Sequence, residues 1–128
     1  MYHELRAFLH QLELDGDLRR ITEPLAPEPD VPALVDAAAA SHGPVLVMEN
    51  IQGSSGSLVV GVHGTHNRIG RSLGLPVNTP VARIAAELDR RWNSFPLPWE
   101  KVPSGPSQEI VLTGNDVDLT VLPVYRVN

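Results

Sequence analysis

The stretch from Gly43 to Gly64, "GPVLVMENIQGSSGSLVVGVHG", decides the fold of this chain. It opens with the strand-length segment Val45–Asn50, whose continuous apolar start is typical of a β-strand covered on both faces. A second strand is predicted over Leu58–Gly64. The glycine- and serine-rich loop between the two segments allows them to pair as a hairpin.

Upstream of this hairpin, the apolar spacing predicts a helix followed by a short strand. The helix is indicated by apolar residues at positions i, i+3, i+4 and i+7, namely Leu5, Phe8, Leu9 and Leu12. A glycine just past these residues, Gly16, is expected to end the helix with positive φ. Residues 17–22 then have the composition of a short strand.

A second helix is predicted to begin at Asp30, acting as N-cap, with Pro32 tolerated in the first turn. Its buried stripe is expected to consist of four apolar residues, Val31, Leu34, Val35 and Ala38. The Gly-Pro pair at residues 43–44 ends the helix before the hairpin.

Two further helices are predicted after the hairpin. The first is short, with Thr65 as N-cap and Ile69 and Leu73 directed inward. The second is capped by Asn78 or Thr79 and has a proline in its first turn; its apolar face should comprise Val81, Ile84, Ala85, Leu88 and Trp92. A proline-rich connection follows, then a strand over residues 109–112 and a second apolar, strand-like run from residue 121 onward.

Composition narrows the possible functions. The 128 residues are 42% hydrophobic and 20% charged, which fits one globular domain of ordinary type. A net charge of -5 and a pI near 5.4 give no electrostatic footprint for nucleic acid or an anionic membrane. The lack of cysteine excludes disulfides, zinc-thiolate sites and a cysteine nucleophile, and fits a reducing cytosol. No run approaches the roughly 20 apolar residues that a membrane helix needs.

Five histidines raise the hypothesis of a metal site. His3, His10, His42, His63 and His66 are spread over four predicted elements, and no pair has a recognised ligand spacing. A mononuclear site needs three or four ligands that converge on the ion. The sequence therefore favours capping or surface roles for these histidines.

The glycine-rich segment "GVHGTHNRIG" could present backbone N–H groups to a phosphate. Its glycines, Gly61, Gly64 and Gly70, match neither the dinucleotide nor the P-loop spacing, so a simple turn is favoured and phosphate binding stays an alternative. Trp92 and Trp99 could line a pocket, although covering the core at a domain boundary is the favoured interpretation.

Three carboxylates near the C-terminal end could in principle act as acid and base. Glu109, Asp116 and Asp118 flank a Gly-Asn turn. Aspartates favour turns because their side chains accept hydrogen bonds from nearby backbone groups. A structural role is therefore predicted for these carboxylates.

Four blocks in this order resemble the N-terminal region of the UbiD family of prenylated-FMN-dependent decarboxylases and carboxylases. They are "ELRAFLHQLELDGDLRRI", "GPVLVMENIQG", "VVGVHGTHNRIGRSLGL" and "QEIVLTGNDVDLTVLP", spanning Glu4 to Pro123. The chain departs from the family pattern at Met48, where phenylalanine is usual, at His63, where a larger apolar residue is common, and in a more proline-rich connector at residues 25–36.

The resemblance implies an α+β fold in which a small sheet carries packed helices. Residues 1–94 would form the N-terminal α+β domain, residues 95–107 a proline-rich linker, and residues 108–128 the first strands of a central, split-barrel-like flavin-binding domain. The family's catalytic glutamates and arginine, and the groups that hold flavin and metal, lie in that central domain. The resemblance therefore assigns no catalytic, cofactor-binding or metal residue to this chain, which would be cut near Asn128.

The resemblance also implies an activity for the longer parent protein. That parent would remove CO₂ from an aromatic or unsaturated carboxylic acid, or carboxylate it reversibly. It would use prenylated FMN with a divalent metal, Mn or Mg, and K as a further candidate ion. Its partners would be the rest of its own chain and further copies of itself in a cytoplasmic homo-oligomer, with neither nucleic acid nor membrane.

Two other hypotheses stay open on the sequence alone. One is a stand-alone accessory module that docks on a larger subunit through its C-terminal apolar strand, since an unpaired edge strand is a ready pairing site. The other is a small phosphate- or nucleotide-binding domain built around residues 61–70.

Overall fold

The computed structural model describes residues 4–94 and 99–125 of the chain. The elements in order are helix α1 (Leu5–Leu14), strand β1 (Leu18–Ile21), helix α2 (Asp30–Ala40), strands β2 (Val45–Met48) and β3 (Leu58–Val60), and helices α3 (His66–Ser72) and α4 (Val81–Trp92). Three single 3₁₀ turns follow, at Pro106–Gln108, Gly114–Asp116 and Leu119–Val121. The predicted α+β class is confirmed.

The three strands form one sheet in the order β1-β2-β3, so that β2 is central. Strand β1 pairs with β2 in parallel, with Leu18 opposite Val45. Strand β3 pairs with β2 antiparallel, with Leu46 opposite Val60, which confirms the predicted hairpin. All four residues of β2 are buried, as its continuous apolar sequence predicts for a strand covered on both faces.

The core consists of two apolar clusters, one on each face of the sheet. Because side chains alternate along a strand, Val45 and Val47 contribute to one cluster and Leu46 and Met48 to the other. The first cluster also contains Phe8, Leu12 and Leu18, and the second contains Leu25, Val31 and Ile51. Each such fully buried side chain stabilises the fold by about 1.5–3 kcal/mol relative to exposure.

Local signals at the ends of α1 and α3 agree with the structure. Gly16 has φ +74°, the left-handed conformation that was predicted from its position after α1. Thr65 is the N-cap of α3, and its side chain accepts a hydrogen bond from the backbone N–H of Arg68. In the interior of α3, however, Ile69 is only half-buried, and the residues that turn most fully inward are arginines.

The start of α2 differs from the prediction. Pro29 is the N-cap, and Asp30 is already the first helical residue. The Asp30 carboxylate accepts a hydrogen bond from the backbone N–H of Ala26 at 2.9 Å. The side chain therefore closes the preceding proline-rich turn rather than capping the helix.

The predicted caps of α4 are also wrong. Pro80 is the N-cap, and no side chain caps this helix. Asn78 has φ +61°, and its backbone N–H donates to the side-chain oxygen of Asn67. The Thr79 hydroxyl donates to the Pro76 carbonyl. Both residues thus belong to the turn between α3 and α4, and these hydrogen bonds are made to Asn67 and Pro76 rather than to the first turn of α4.

The buried face of α4 is much narrower than its sequence suggests. Ile84 is 3% exposed, whereas Val81, Leu88 and Trp92 are 52%, 46% and 78% exposed. The reason is that α4 packs on α3 along one side only. The predicted apolar face is therefore correct as a pattern but wrong as a set of buried residues.

The predicted strand over Glu109–Leu112 does not form, and residues 99–125 contain 3₁₀ turns but no strand. A strand is stable only when a neighbouring strand takes up its backbone hydrogen bonds, and none of the strands in the described part of the chain pairs with this segment. The apolar run from Val121 onward is not a strand either, as far as Tyr125. Instead, the Val121 carbonyl accepts bonds from the backbone N–H and the hydroxyl of Ser55 at 2.7 and 3.3 Å, and Tyr125 packs on the second core cluster.

Within the described ranges, no helix combines the length and the apolar character that crossing a bilayer requires.

Candidate functional site

The most unusual feature of the fold is a pair of buried arginines on α3. Arg68 and Arg71 are 2% and 7% exposed, although arginine is seldom buried without a partner. They lie three residues apart, so that α3 directs both side chains toward the turn between α1 and β1. The chemistry of the candidate site depends on what these side chains contact.

Arg68 joins two turns that lie far from it in sequence. Its Nη1 donates to Asp17 Oδ1 at 2.8 Å, and Nη1 and Nη2 both donate to the Gly43 carbonyl, at 2.9 and 3.0 Å. Its Nε is buried and has no hydrogen-bond partner among the described residues. One guanidinium therefore ties α3 to the α1–β1 turn and to the α2–β2 turn.

Arg71 completes the cluster. Its Nη2 donates to an oxygen of Asp15, and its Nη1 lies 3.7 Å from Asp17 Oδ2. The side chains of Asp15 and Asp17 are 41% and 31% exposed, so each carboxylate keeps part of its hydration. Two cations thus face two anions, and the arrangement serves to hold elements together rather than to bind a further charged ligand.

The glycines of the segment "GVHGTHNRIG", for which phosphate binding was the alternative, have packing and turn roles. A Cβ on Gly64 would lie 3.2 Å from Nη2 of Arg68, so the missing side chain leaves room for the guanidinium. A Cβ on Gly70 would lie 3.0 Å from Cδ1 of Ile84, so α4 approaches α3 closely at this point. Gly61 has φ +80° at the end of the hairpin. These contacts support the interpretation of the segment as a turn.

Three of the histidines come together in space. His42, His63 and His66 line one cavity of about 390 Å³, beside Thr65 and Ile69. His10 lies on α1 away from this cavity, and His3 lies outside the described residues. Sequence spacing missed this grouping because His42 belongs to a different turn. Among residues 4–94 and 99–125, no three histidine or carboxylate side chains are placed to hold a metal ion.

The carboxylates of the C-terminal segment have local roles. Asp118 accepts hydrogen bonds from the hydroxyl and the backbone N–H of Thr120, at 2.6 and 2.9 Å. The hydroxyl bond, followed by the backbone bond, lowers the pKa of the Asp118 carboxyl. This is the turn chemistry that the sequence predicts. The described contacts of Glu109 and Asp116 do not join them into an acid–base pair with Asp118.

The two tryptophans do not cover the core. Trp92 is 78% exposed at the end of α4, and Trp99 is 85% exposed. The favoured interpretation of these residues is therefore wrong for this chain, because neither side chain has a described apolar surface against it.

The remaining arginine–carboxylate pairs are exposed or partly exposed. Arg20 bridges Glu13 and Glu49 at 2.6 Å each, and its hydrogen bond lowers the pKa of Glu13. On α4, Arg90 and Arg91 both bond Glu87. These hydrogen bonds lower the pKa of Glu87 to about 2. Such pairs contribute modestly to stability and indicate no catalytic group.

The chain matches known proteins over its whole length. Residues 9–88 match the family profile described as the 3-octaprenyl-4-hydroxybenzoate carboxy-lyase N-terminal domain. The chain is 40% identical to a phenolic acid decarboxylase of Streptomyces sp. (strain D7), covering 99% of the chain and 28% of the relative. It is 39% identical to the phenolic acid decarboxylase of Sedimentibacter hydroxybenzoicus, covering 100% of the chain and 28% of the relative.

Solved structures of relatives have the same fold as this chain. The closed form of the Sedimentibacter hydroxybenzoicus vanillic acid decarboxylase superposes with a TM-score of 0.87 at 39% identity, over 100% of this chain and 28% of that one. An evolved dimeric form of the UbiD-class enzyme HmfF from Pelotomaculum thermopropionicum, in complex with prFMN, gives 0.81 at 26% identity over 99% of this chain and 28% of that one. The chain thus spans just over a quarter of the length of these relatives. It belongs to the UbiD family of carboxy-lyases, and residues 9–88 match the family's N-terminal domain.

Proposed function

We propose that this chain is the N-terminal part of a decarboxylase that acts on a phenolic or related aromatic carboxylic acid. The observation that carries the proposal is the match along the full chain to phenolic acid decarboxylases at 39–40% identity, together with a TM-score of 0.87 to a vanillic acid decarboxylase. An unsaturated non-aromatic acid, and reversible carboxylation, are the wider range of chemistry that the family resemblance allows.

The chain itself would be non-catalytic. Its charged cluster is internally balanced, since Arg68 and Arg71 face Asp15 and Asp17. The missing side chains of Gly64 and Gly70 make room for Arg68 and Ile84 rather than for a phosphate. These residues do not fit prenylated FMN. Cofactor binding, with Mn or Mg and K as candidate ions, would therefore belong to other parts of the longer enzyme.

The domain would serve as a scaffold within that enzyme. Residues 95–107 would link it to a central split-barrel-like flavin domain that begins within residues 108–128, and the enzyme would assemble as a cytoplasmic homo-oligomer. The alternative of an accessory module that docks through a C-terminal strand has less support, because residues 121–125 form no strand and Val121 is bonded to Ser55.

The test is to produce the protein from its natural reading frame in cells that supply prenylated FMN. Intact mass and CO₂ release from vanillate and 4-hydroxybenzoate would then be compared with those of the 128-residue chain alone. We expect a product several times heavier than 13.9 kDa that binds flavin and releases CO₂, whereas the short chain does neither. A natural product of 13.9 kDa, or a flavin-loaded product inert toward every aromatic acid in a panel, would refute the proposal.

A further inference from the structure

Helix α4 exposes a continuous apolar stripe. Val81, Ala85, Leu88 and Trp92 are separated by four, three and four residues, a spacing that places them in one line along the helix. All four are exposed, Trp92 to 78%. No charged residue interrupts the line, and we call these four residues the α4 face. A single exposed leucine needs no explanation, but an aligned apolar set of this kind marks an interaction surface.

The α4 face is separate from the contacts that hold the helix in this fold. Ile84 is the buried residue of α4 and packs against Gly70 of α3. Arg91 adds a hydrogen bond from Nη2 to the Leu73 carbonyl. By helical geometry Ile84 and Arg91 lie on the flank next to the α4 face. The helix is therefore attached along that flank, and the α4 face itself is left for another partner.

Exposure of apolar groups is not spread evenly along the chain. Sixteen large apolar side chains are exposed within the described residues, and all of them except Leu5 and Leu14 lie at or beyond Val77. Before Val77, nearly all large apolar side chains of the described residues are therefore covered by other parts of this chain. The uncovered surface begins at Val77, just before α4, and continues into residues 99–125.

The length of the relatives indicates what covers this surface. In solved relatives the same fold, including the α4 region, lies within a polypeptide of which this chain spans only 28%. Resting on the proposed function, we propose that a later apolar segment of the same long polypeptide packs on the α4 face. Through this contact α4, rather than the sheet, would be the side of the domain that meets the rest of the enzyme. A second copy of this chain is the competing occupant.

The first experiment needs no substitution. Hydroxyl-radical labelling of Trp92 would be compared between the 128-residue chain and the full-length protein from the natural reading frame. We expect Trp92 to be labelled readily in the short chain and at least fivefold more slowly in the long one. Equal labelling rates in the two proteins would overturn the proposal.

The second experiment uses matched charge insertions. Leu88→Glu lies on the α4 face, whereas Leu14→Glu is a control at a leucine that is 67% exposed on α1. We expect both variants to leave the Tm of the short chain within about 2 °C of the parent, since both side chains are exposed there. In the full-length protein, Leu88→Glu alone should lower the Tm by 5 °C or more and open the region to limited proteolysis. Leu88→Gln is the milder variant if the glutamate prevents expression.

Self-association separates the two occupants. If sedimentation velocity shows the short chain to be a dimer that Leu88→Glu converts to a monomer, a second copy covers the face and the proposal is wrong. A monomer over the micromolar range supports it. These measurements do not depend on activity, so protection of Trp92 in an inactive full-length protein would retain the docking surface while rejecting the proposed decarboxylation.

Discussion

Replacing Asp17 by alanine tests whether the buried guanidinium of Arg68 depends on its carboxylate. The substitution removes the acceptor that lies 2.8 Å from Arg68 Nη1 and 3.7 Å from Arg71 Nη1. Arg68 is 2% exposed, so water cannot replace the lost acceptor without a local opening of the structure. After the substitution, the Gly43 carbonyl would be the sole described hydrogen-bond acceptor of Arg68.

The expected loss follows from these contacts. Removing one partner of a buried ion pair costs about 3–5 kcal/mol, because it leaves a buried charge without compensation. The Asp17 side chain is 31% exposed and the Gly43 carbonyl remains bonded, which places the loss at the lower end of that range. We therefore expect the free energy of unfolding to fall by about 3 kcal/mol, or a Tm lower by roughly 10–15 °C for a domain of this size.

The assay is urea unfolding followed by circular dichroism, with Glu49→Ala as the matched control. Glu49 pairs with Arg20 at 2.6 Å, but these side chains are 33% and 45% exposed. An exposed pair contributes no more than about 1 kcal/mol. If Asp17→Ala costs no more than Glu49→Ala, then Arg68 is not stabilised by its counter-charge, and the reasoning about the cluster fails.

Three further predictions concern single positions. The pKa of Glu87 is lowered from 4.5 to about 2 by hydrogen bonds from two arginines of α4, so its contribution to stability should be present above pH 4.5 and lost as the pH falls toward 2. A carboxyl carbon titration by NMR that gives an ordinary pKa would contradict this. Ile84→Ala should lower the free energy of unfolding in urea by about 2–4 kcal/mol, because Ile84 is 3% exposed. Leu88 lies one turn away and is 46% exposed, so Leu88→Ala should cost under about 1 kcal/mol. Equal losses would show that Ile84 is not the core contact of α4. Gly16→Ala should lower stability by about 1–2 kcal/mol because φ is +74° with open space around it. Gly105→Ala, in open space without positive φ, should be neutral, and a neutral Gly16→Ala would rule out the left-handed requirement.

Much of the fold can be predicted from local sequence, because interactions between neighbouring residues determine it. Strand β2 is a continuous apolar run, and such a run must be covered on both faces. The positive φ of Gly16 and the cap at Thr65 depend on a few neighbouring residues. The predicted caps at Asp30 and at the start of α4 miss the first helical residue by one position or two. The reason is that the predicted capping residues make hydrogen bonds within the preceding turns instead.

The candidate site could not be read in the same way. Arginine is ordinarily an exposed residue, and the burial of Arg68 is possible because Asp17 and Gly43, 51 and 25 residues away, meet it in space. The grouping of His42 with His63 likewise depends on two turns that the sheet brings together. Neither arrangement leaves a periodic or spacing signal in the sequence.

The sequence alone determined the order of helices and strands, the central buried strand and the family resemblance, since all of these follow from residue types at neighbouring positions. Tertiary structure alone decided which charges are buried and which face of α4 is left uncovered. It also decided that residues 109–112 do not form a strand. The physical reason is that burial, counter-charge and strand pairing are properties of contacts between distant segments. A residue pattern predicts which contacts a segment requires, but not whether distant segments of the chain provide those contacts.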